Sequence, residues 1–268
     1  TPPAQYDPAR YQLLPLWLDL VSQTEQRPAA LRDFLFLGPL PGGKYDVNNI
    51  GPFSTDLLGG SQDYPNGSES TREEIRQAHR DYLQGLLYFA ATDPSMPPSI
   101  RLQMSQLGYA ADEFVETGNW PHQLYVRESR RMAGIYVMTQ KDLQTEREKE
   151  DSVGMGSYTI DSHSVQRYMT LDGYVQNEGE VQYPVKPYQI PYRALLPKEG
   201  EASNLLVPVC LSASHVAYSS LRMEPQYMIL GEAAGLAAWM SIQENTSVQD
   251  VSVRELQQRL RDRGGVLE

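Results

Sequence analysis

Apolar positions in residues 1–122 recur mainly at helical spacing, and segments rich in glycine and proline separate them. Residues 10–23 predict a first helix. Ser70 and Glu73 form a capping box, in which two side chains satisfy the free N–H groups at a helix start, and apolar residues follow at helical spacing. Residues 38–67 predict a long irregular loop, because glycine, proline and asparagine recur throughout them. We therefore expect a mainly helical region with a Gly-rich loop.

From residue 123 onward the hydrophobic pattern changes to period two, which is typical of β-strands. Four short runs rich in Tyr, Val, Ile and Leu predict strands, at residues 124–127, 135–138, 157–160 and 190–196. The charged residues 139–151 predict a short solvent-exposed helix between them. Residues 123–200 are therefore expected to be β-rich.

The last quarter of the chain has the pattern of a strand, a loop and a helix. Residues 204–210 predict a buried strand, residues 211–222 a hydroxyl-rich loop, and residues 223–240 a helix with Pro225 in its first turn. One face of that helix carries very small residues, namely Gly231, Ala234, Gly235 and Ala238. Because Gly inside a helix costs roughly 1 kcal/mol relative to Ala, this face indicates the close approach of another group. That group is either a cofactor or a tightly packed sheet with no ligand.

The order of these elements predicts the fold class. Helices, then strands, then a strand–helix ending indicate an α+β fold, or the incomplete part of an α/β fold. A second capping box, formed by Ser252 and Glu255, predicts a closing helix up to Arg263. We divide the chain into residues 1–122, 123–200 and 201–268.

Composition narrows the classes of function. The formal charge is 23 − 34 = −11, which makes nonspecific binding to nucleic acid or to an anionic membrane unfavourable. The longest apolar runs fall short of the ~20 residues needed to span a bilayer. The single cysteine, Cys210, excludes an internal disulfide and a cysteine-based metal site, and we expect no metal. A small-molecule substrate is the expected partner.

Two histidines are the main candidates for proton transfer. His163 stands two residues after Asp161, and in an extended segment the two side chains share a face. A carboxylate beside an imidazole orients the ring and raises its basicity, as a general base requires. The alternative is an ordinary polar turn. His215 lies just before the small-residue helix, where it would touch a cofactor bound there or its substrate.

Arginines and tyrosines are candidates for substrate binding. In a strand, Arg127 and Arg131 would share a face and could clamp a carboxylate or phosphate. The alternative is a structural ion-pair network with Glu128. Tyr158 belongs to a set of tyrosines in the β-rich part, which suit polyhydroxylated or flat ligands but are equally common as half-exposed sheet residues.

Several known catalytic motifs are missing from the sequence. It has no Gly-x-Ser-x-Gly nucleophile elbow, no His-Glu-x-x-His zinc helix and no phosphate loop of the Gly-x-x-x-x-Gly-Lys type. It also has no Gly-x-Gly-x-x-Gly turn between a strand and a helix.

Several segments together resemble one known family. They are Gly43-Lys-Tyr-Asp-Val-Asn-Asn49, Phe53-Ser-Thr-Asp56, the stretch from Trp120 to Arg131, the stretch from Gly154 to His163, Pro191-Tyr-Arg-Ala-Leu-Leu-Pro197, the stretch from Asn204 to His215, and Arg222-Met-Glu-Pro225. From about Gly38 onward the chain resembles the C-terminal part of the FAD-dependent oxidoreductase family. These are glutathione-reductase-like bacterial flavoproteins, some of which carry xanthan-lyase-like names.

The resemblance implies a two-domain FAD-binding fold. Its N-terminal βαβ unit, which holds the FAD pyrophosphate, would precede Thr1 in the same polypeptide and is missing from this sequence. Residues 1–122 would be a mainly helical substrate-side region, and residues 123–200 would be the β-rich substrate domain. Residues 201–268 would return to the FAD-binding domain, with the helix near Glu224 aimed at the flavin ring.

The positions of individual residues beside the predicted cofactor helix suggest their roles. His163 with Asp161 is the first candidate base, and His215 is the second. Arg127, Arg131 and Tyr158 are expected at the substrate. The expected flavin contacts are Ser212, Ser214, Arg222, Met223, Glu224 and Pro225.

The activity expected from this resemblance is hydride transfer from an organic, sugar-like substrate to flavin. The fragment alone is expected to be inactive and to bind FAD weakly. A rival hypothesis is a flavin-free carbohydrate-binding or polysaccharide-lyase-like protein. A third is a structural remnant without activity.

Overall fold

The computed structural model describes residues 1–53 and 55–268, so Ser54 of the segment from Phe53 to Asp56 lies outside the described residues. The chain is 38% helix and 15% strand, and this mixture of helices and small sheets fits the α+β class. It divides into two compact units. The first unit contains Thr1–Val126 and Gln166–Asn177, and the second contains Arg127–Val165 and Glu178–Glu268.

The elements are as follows in chain order. The helices are α1 (Leu13–Glu25), α2 (Glu69–Thr92), α3 (Pro98–Met104), α4 (Gln140–Gln144), α5 (His215–Leu221), α6 (Glu224–Glu244) and α7 (Val253–Asp262). The strands are β1 (Leu35–Leu40), β2 (Lys44–Asn49), β3 (Ser152–Gly156), β4 (Ile160–Ser162), β5 (Gln166–Met169), β6 (Val175–Glu178), β7 (Val181–Tyr183) and β8 (Tyr188–Pro191). Among the described residues, no helix is both long and apolar enough to cross a membrane.

Helices α1, α2 and α3 form the core of the first unit. Their inward residues are apolar and fully or almost fully buried, among them Leu14, Leu18, Leu86, Phe89 and Ile100. The predicted helix α2 is confirmed, but it begins two residues earlier than the capping box indicated. Ser68, rather than Ser70, accepts the hydrogen bond from the backbone N–H of Thr71, and Asp93 follows the last turn.

The predicted loop over residues 38–67 is wrong in its first part. Strands β1 and β2 pair antiparallel over Leu35–Leu40 and Lys44–Asn49 and form a hairpin. Gly42 and Gly43 have φ of +81° and +74°, the left-handed region that glycine adopts without strain, and they make the turn. The glycines that indicated a loop are therefore the turn of a hairpin.

Gly85 in α2 faces the ring of Tyr11, whose hydroxyl donates a hydrogen bond to the backbone oxygen of Tyr82 at 3.0 Å. A methyl group on Gly85 would overlap this buried hydroxyl. We expect Gly85→Ala to lower the free energy of unfolding by about 1–3 kcal/mol, measured by urea denaturation. Gly231→Ala is the matched control, because among the described residues nothing lies within 4 Å of a Cβ there. That change should raise stability by about 0.5–1 kcal/mol. Equal effects of the two changes would contradict the packing at Gly85.

The second unit has a core between small antiparallel sheets and the last three helices. β3 pairs with β8, and β4 pairs with β7. Buried apolar residues come from the strands and from α5, α6 and α7, among them Val153, Ile190, Leu221, Leu230 and Leu256. The closing helix α7 is confirmed, since Ser252 accepts a hydrogen bond from the backbone N–H of Glu255. The predicted short helix within residues 139–151 is present as α4, but it is not fully solvent-exposed, because Asp142 and Leu143 are buried.

Several predicted strands are wrong or displaced. Residues 124–127 are irregular, and residues 135–138 contribute only an isolated bridge between Met138 and Ala213. In place of a strand at residues 157–160, β3 ends at Gly156 and β4 begins at Ile160. The strand predicted at residues 190–196 ends at Pro191 and continues as a 3₁₀ turn. In each case a period-two pattern is present, but a neighbouring strand does not pair with all of it.

The strand and loop predicted before α6 are also wrong. Residues 204–210 form irregular chain, and Leu205, Val209 and Cys210 are exposed rather than buried. Residues 211–222 contain helix α5, whose N-cap is Ser214. Ser214 accepts a hydrogen bond from the backbone N–H of Ala217, so a hydroxyl that indicated a loop in fact begins a helix.

The long helix α6 is confirmed, with Pro225 in its first turn. One side packs into the core through Leu230, Ala233 and Ala237. The small-residue face is different, because Gly231 and Gly235 are exposed and nothing among the described residues lies within 4 Å of a Cβ at either. The close approach that the glycines indicated is thus not made by the described part of the chain.

Candidate functional site

Asp161, in the middle of β4, is the centre of a polar cluster that contains four of the predicted site residues. The Tyr158 hydroxyl donates to Asp161 Oδ2 at 3.4 Å. Nε2 of His163 lies 3.7 Å from the same oxygen, and Nη2 of Arg222 lies 4.0 Å from it. We call Tyr158, Asp161, His163 and Arg222 the Asp161 cluster. Its members were predicted separately as substrate, catalytic and flavin residues.

Ser219 of α5 and Arg222, which directly follows α5, hydrogen-bond to the backbone of Asp161. Ser219, which is fully buried, accepts a hydrogen bond from the Asp161 N–H at 3.2 Å. Arg222 donates from Nη2 to the Asp161 carbonyl oxygen at 2.8 Å, and its side chain is only 4% exposed. Both backbone groups of Asp161 are therefore bonded, and its carboxylate lies between Tyr158 and His163.

The Asp161–His163 pair has the chemistry of an oriented base. The 3.7 Å separation is longer than a hydrogen bond, and both side chains are about one-fifth exposed, at 20% each. Catalytic hydrogen bonds are often long without substrate and shorten in the substrate complex. A carboxylate here favours an N–H on the facing ring nitrogen.

A second cluster surrounds His215 at the N-terminus of α5. Nδ1 of His215 lies 2.7 Å from Glu128 Oε2, and Nε2 lies 2.9 Å from Ser162 Oγ. Arg131 donates from Nη1 to the same Glu128 oxygen at 2.8 Å. We call Glu128, Arg131, Ser162 and His215 the Glu128 cluster. Both ring nitrogens of His215 therefore have protein partners.

Arg131 is held on three sides. Besides Glu128, its Nε donates to the carbonyl oxygen of Ala213 at 3.0 Å, and its guanidinium lies over the ring of Tyr218 with 5.3 Å to the ring centre. This is the ion pair that the sequence offered as the alternative to a substrate clamp. Arg127 is partly exposed in the irregular segment that precedes Glu128.

Two of the residues predicted to contact flavin use their side-chain oxygens within the protein. Ser212 is fully buried, and its Oγ accepts a hydrogen bond from the Gly134 N–H at 3.0 Å. Ser214 Oγ caps α5 through Ala217. These contacts position the chain around α5, and the role of the two serines toward flavin stays a prediction.

The start of α6 contains the other three residues predicted to contact flavin, Met223, Glu224 and Pro225. Met223 is the N-cap, with no side-chain hydrogen bond to the first turn, and Glu224 and Pro225 are exposed. The first turn of this 21-residue helix therefore has no side-chain cap at the positive end of the helix dipole, and Pro225 contributes no N–H there. Glu224 would bring a negative charge to this end. The roles of Met223, Glu224 and Pro225 toward flavin stay a prediction.

Sequence reasoning missed Ser162 and Ser219, and it treated Glu128 only as a counter-ion for arginine. These residues act across the fold, since Glu128 meets His215 and Ser219 meets Asp161. No local spacing connects them. A usable signal existed only for α5, where a Ser at position 214 before an apolar run is typical of an N-cap.

Comparison with known proteins identifies the family to which the chain belongs. A sequence model described as FAD dependent oxidoreductase matches residues 1–260, nearly the whole chain, and the chain therefore belongs to the FAD-dependent oxidoreductase family. The match includes the helical region before Gly38, which the resemblance in the sequence left out. Searches of curated proteins and of solved structures find no match.

Proposed function

We propose that this chain binds the substrate of a flavoenzyme that removes a hydride from a C–H bond of an organic, sugar-like molecule. Family membership supports an oxidoreductase that uses FAD. The observation that carries the proposal further is the Asp161 cluster, where an imidazole, a carboxylate and a phenol meet in a partly exposed position. Oxidation of an alcohol needs such a group to take the hydroxyl proton while the hydride leaves.

Each residue of the cluster has a proposed task. His163 accepts the hydroxyl proton of the substrate, and Asp161 orients the His163 ring and stabilises its positive charge once protonated. Tyr158, with its side chain partly exposed, hydrogen-bonds a second hydroxyl of the substrate. FAD, when bound, supplies the hydride acceptor. Arg222 stays with Asp161 and keeps the carboxylate in place.

The start of α6 is the proposed contact with the flavin ring. The positive end of the α6 dipole favours negative charge, and reduced flavin carries negative charge. The exposed face at Gly231 and Gly235 then packs against a nucleotide-binding sheet in another part of the same polypeptide. The apolar side chains beside that face support this, since Met228 and Ile242 are 73% and 75% exposed.

This assignment gives the three regions of the chain distinct tasks. Residues 1–122 lie on the substrate side, residues 123–200 cover the flavin, and residues 201–268 complete the FAD-binding domain. The Asp161 cluster draws on the second and third of these regions, because Arg222 comes from α5 and the others come from β4 and its flanks.

FAD binding tests the proposal directly. We expect a polypeptide that includes a nucleotide-binding unit to be yellow after gel filtration, with about one FAD per chain by absorbance. The 268-residue chain alone should retain far less, because the pyrophosphate has no Gly-rich turn to bind. A colourless longer polypeptide that cleaves a uronate polymer to an unsaturated product would contradict the proposal and favour the lyase-like alternative. Full retention of FAD by the short chain would show that the pyrophosphate is bound by these residues instead.

A further inference from the structure

The hydrogen bonds around Ser162 fix the protonation of His215. Ser162 is buried, and its hydroxyl has one hydrogen. Ser162 Oγ donates that hydrogen to the carbonyl oxygen of Gly179 at 2.7 Å, since a carbonyl can only accept. Oγ must therefore accept the bond from His215 Nε2 at 2.9 Å, and Nε2 must carry a hydrogen.

The other ring nitrogen also needs a hydrogen. Nδ1 of His215 lies 2.7 Å from Glu128 Oε2, and an ionised carboxylate only accepts. Arg131 donates from Nη1 to the same oxygen at 2.8 Å, so Glu128 is the carboxylate of an ion pair. Both ring nitrogens then donate, and a histidine that donates from both nitrogens is an imidazolium cation.

We propose that Glu128 and Ser162 are positioning residues that hold His215 as a cation, so that His215 does not remove a proton from the substrate. The statement about proton removal rests on the proposed function, whereas the statement about the protonation of His215 does not. A histidine with both nitrogens bonded to the protein has no lone pair for a substrate hydroxyl. Proton removal then belongs to the Asp161 cluster.

The protonation can be read without flavin. The chain has four histidines, so long-range ¹H–¹⁵N spectra of the labelled protein resolve each ring, and His215→Gln identifies the signals of His215. At neutral pH we expect two protonated nitrogens for His215. An unprotonated nitrogen in the unmodified protein overturns the proposal without the need for any variant.

Glu128→Gln is the decisive change. Its matched control is Glu148→Gln, because Glu148 is an exposed carboxylate on an irregular segment of the same unit. Glu128→Gln should return His215 to one protonated nitrogen, whereas Glu148→Gln should leave two. If Glu128→Gln also leaves two, Glu128 is not the residue that holds the proton.

The statement that His215 does not remove the substrate proton is tested in the flavin-containing polypeptide. The variant is Glu128→Gln, which leaves every member of the Asp161 cluster in place. The acid limb of the pH–rate profile, which reports the base, should be unchanged because that base is His163. Loss of the acid limb would make His215 the base and overturn the proposal. A colourless polypeptide would end the proposed function and leave the spectroscopic result standing.

Discussion

Replacing His163 by alanine in the flavin-containing polypeptide is expected to lower turnover by about 10²–10⁴-fold while FAD stays bound. The expectation follows from the position of His163, whose Nε2 lies 3.7 Å from Asp161 in a partly exposed cluster. Without the imidazole, the substrate hydroxyl must lose its proton to water as the hydride leaves. Turnover and the flavin spectrum, recorded on the same sample, separate a loss of chemistry from a loss of cofactor.

Two further variants sharpen this test. Asp161→Asn keeps the size of the side chain but removes its charge, so it should lower turnover less than His163→Ala does. His122→Ala is the matched control, because His122 is exposed and its only ring contact in the described residues is the edge of Phe114. Its turnover should equal that of the unmodified protein. Unchanged turnover in His163→Ala would remove this residue from the mechanism.

The helices could be predicted well because their signals are local. Ser252 caps α7 through a residue three positions away, and Pro225 lies in the first turn of α6, as their sequence patterns indicated. The strands could not, because pairing partners are distant in sequence. Residues 204–210 are as apolar as a buried strand, yet no described strand pairs with them, and they stay irregular.

The candidate site shows the same difference between contacts that are local in the sequence and contacts that are distant. Asp161 and His163 are neighbours in the sequence, so their proximity could be anticipated from an extended backbone. Arg222 and Glu128 reach the site only through the packing of α5, which the sequence analysis treated as a loop. The chemistry of each residue type was readable, but the identity of its partner depended on the fold.

Loss of the ion pair between Asp142 and Lys149 is expected to destabilise the second unit by about 3–5 kcal/mol. Lys149 Nζ lies 3.0 Å from Asp142 Oδ1, and the two side chains are only 5% and 2% exposed. Tyr136 donates its hydroxyl to Asp142, and the Thr139 N–H donates to Oδ2 at 2.6 Å. Asp142→Asn keeps the shape but leaves the ammonium group of Lys149 buried without a carboxylate. Urea denaturation at neutral pH measures the loss.

A double-mutant cycle isolates the pair. Asp142→Asn combined with Lys149→Met should cost less than the sum of the two single changes, because neither charge is then left unpaired. Glu255→Gln is the control, since its ion pair with Arg259 is exposed on α7 and its loss should cost no more than about 0.5 kcal/mol. Additive single effects would show that the buried pair contributes nothing of its own.

Lowering the pH should remove the stabilisation that the Asp142 carboxylate gives to the fold. Burial acts to raise the pKa of Asp142, but the hydrogen bonds from Tyr136, Thr139 and Lys149 outweigh it and hold the pKa below its ordinary value of 3.8. A carboxyl whose pKa is lower in the folded than in the unfolded state stabilises the fold above the unfolded value and loses this effect as the pH falls through the folded value. The difference in unfolding free energy between the unmodified protein and Asp142→Asn should therefore be largest at neutral pH and shrink below about pH 4. A difference that stays constant across that range would mean that the charge of Asp142 does not stabilise the second unit.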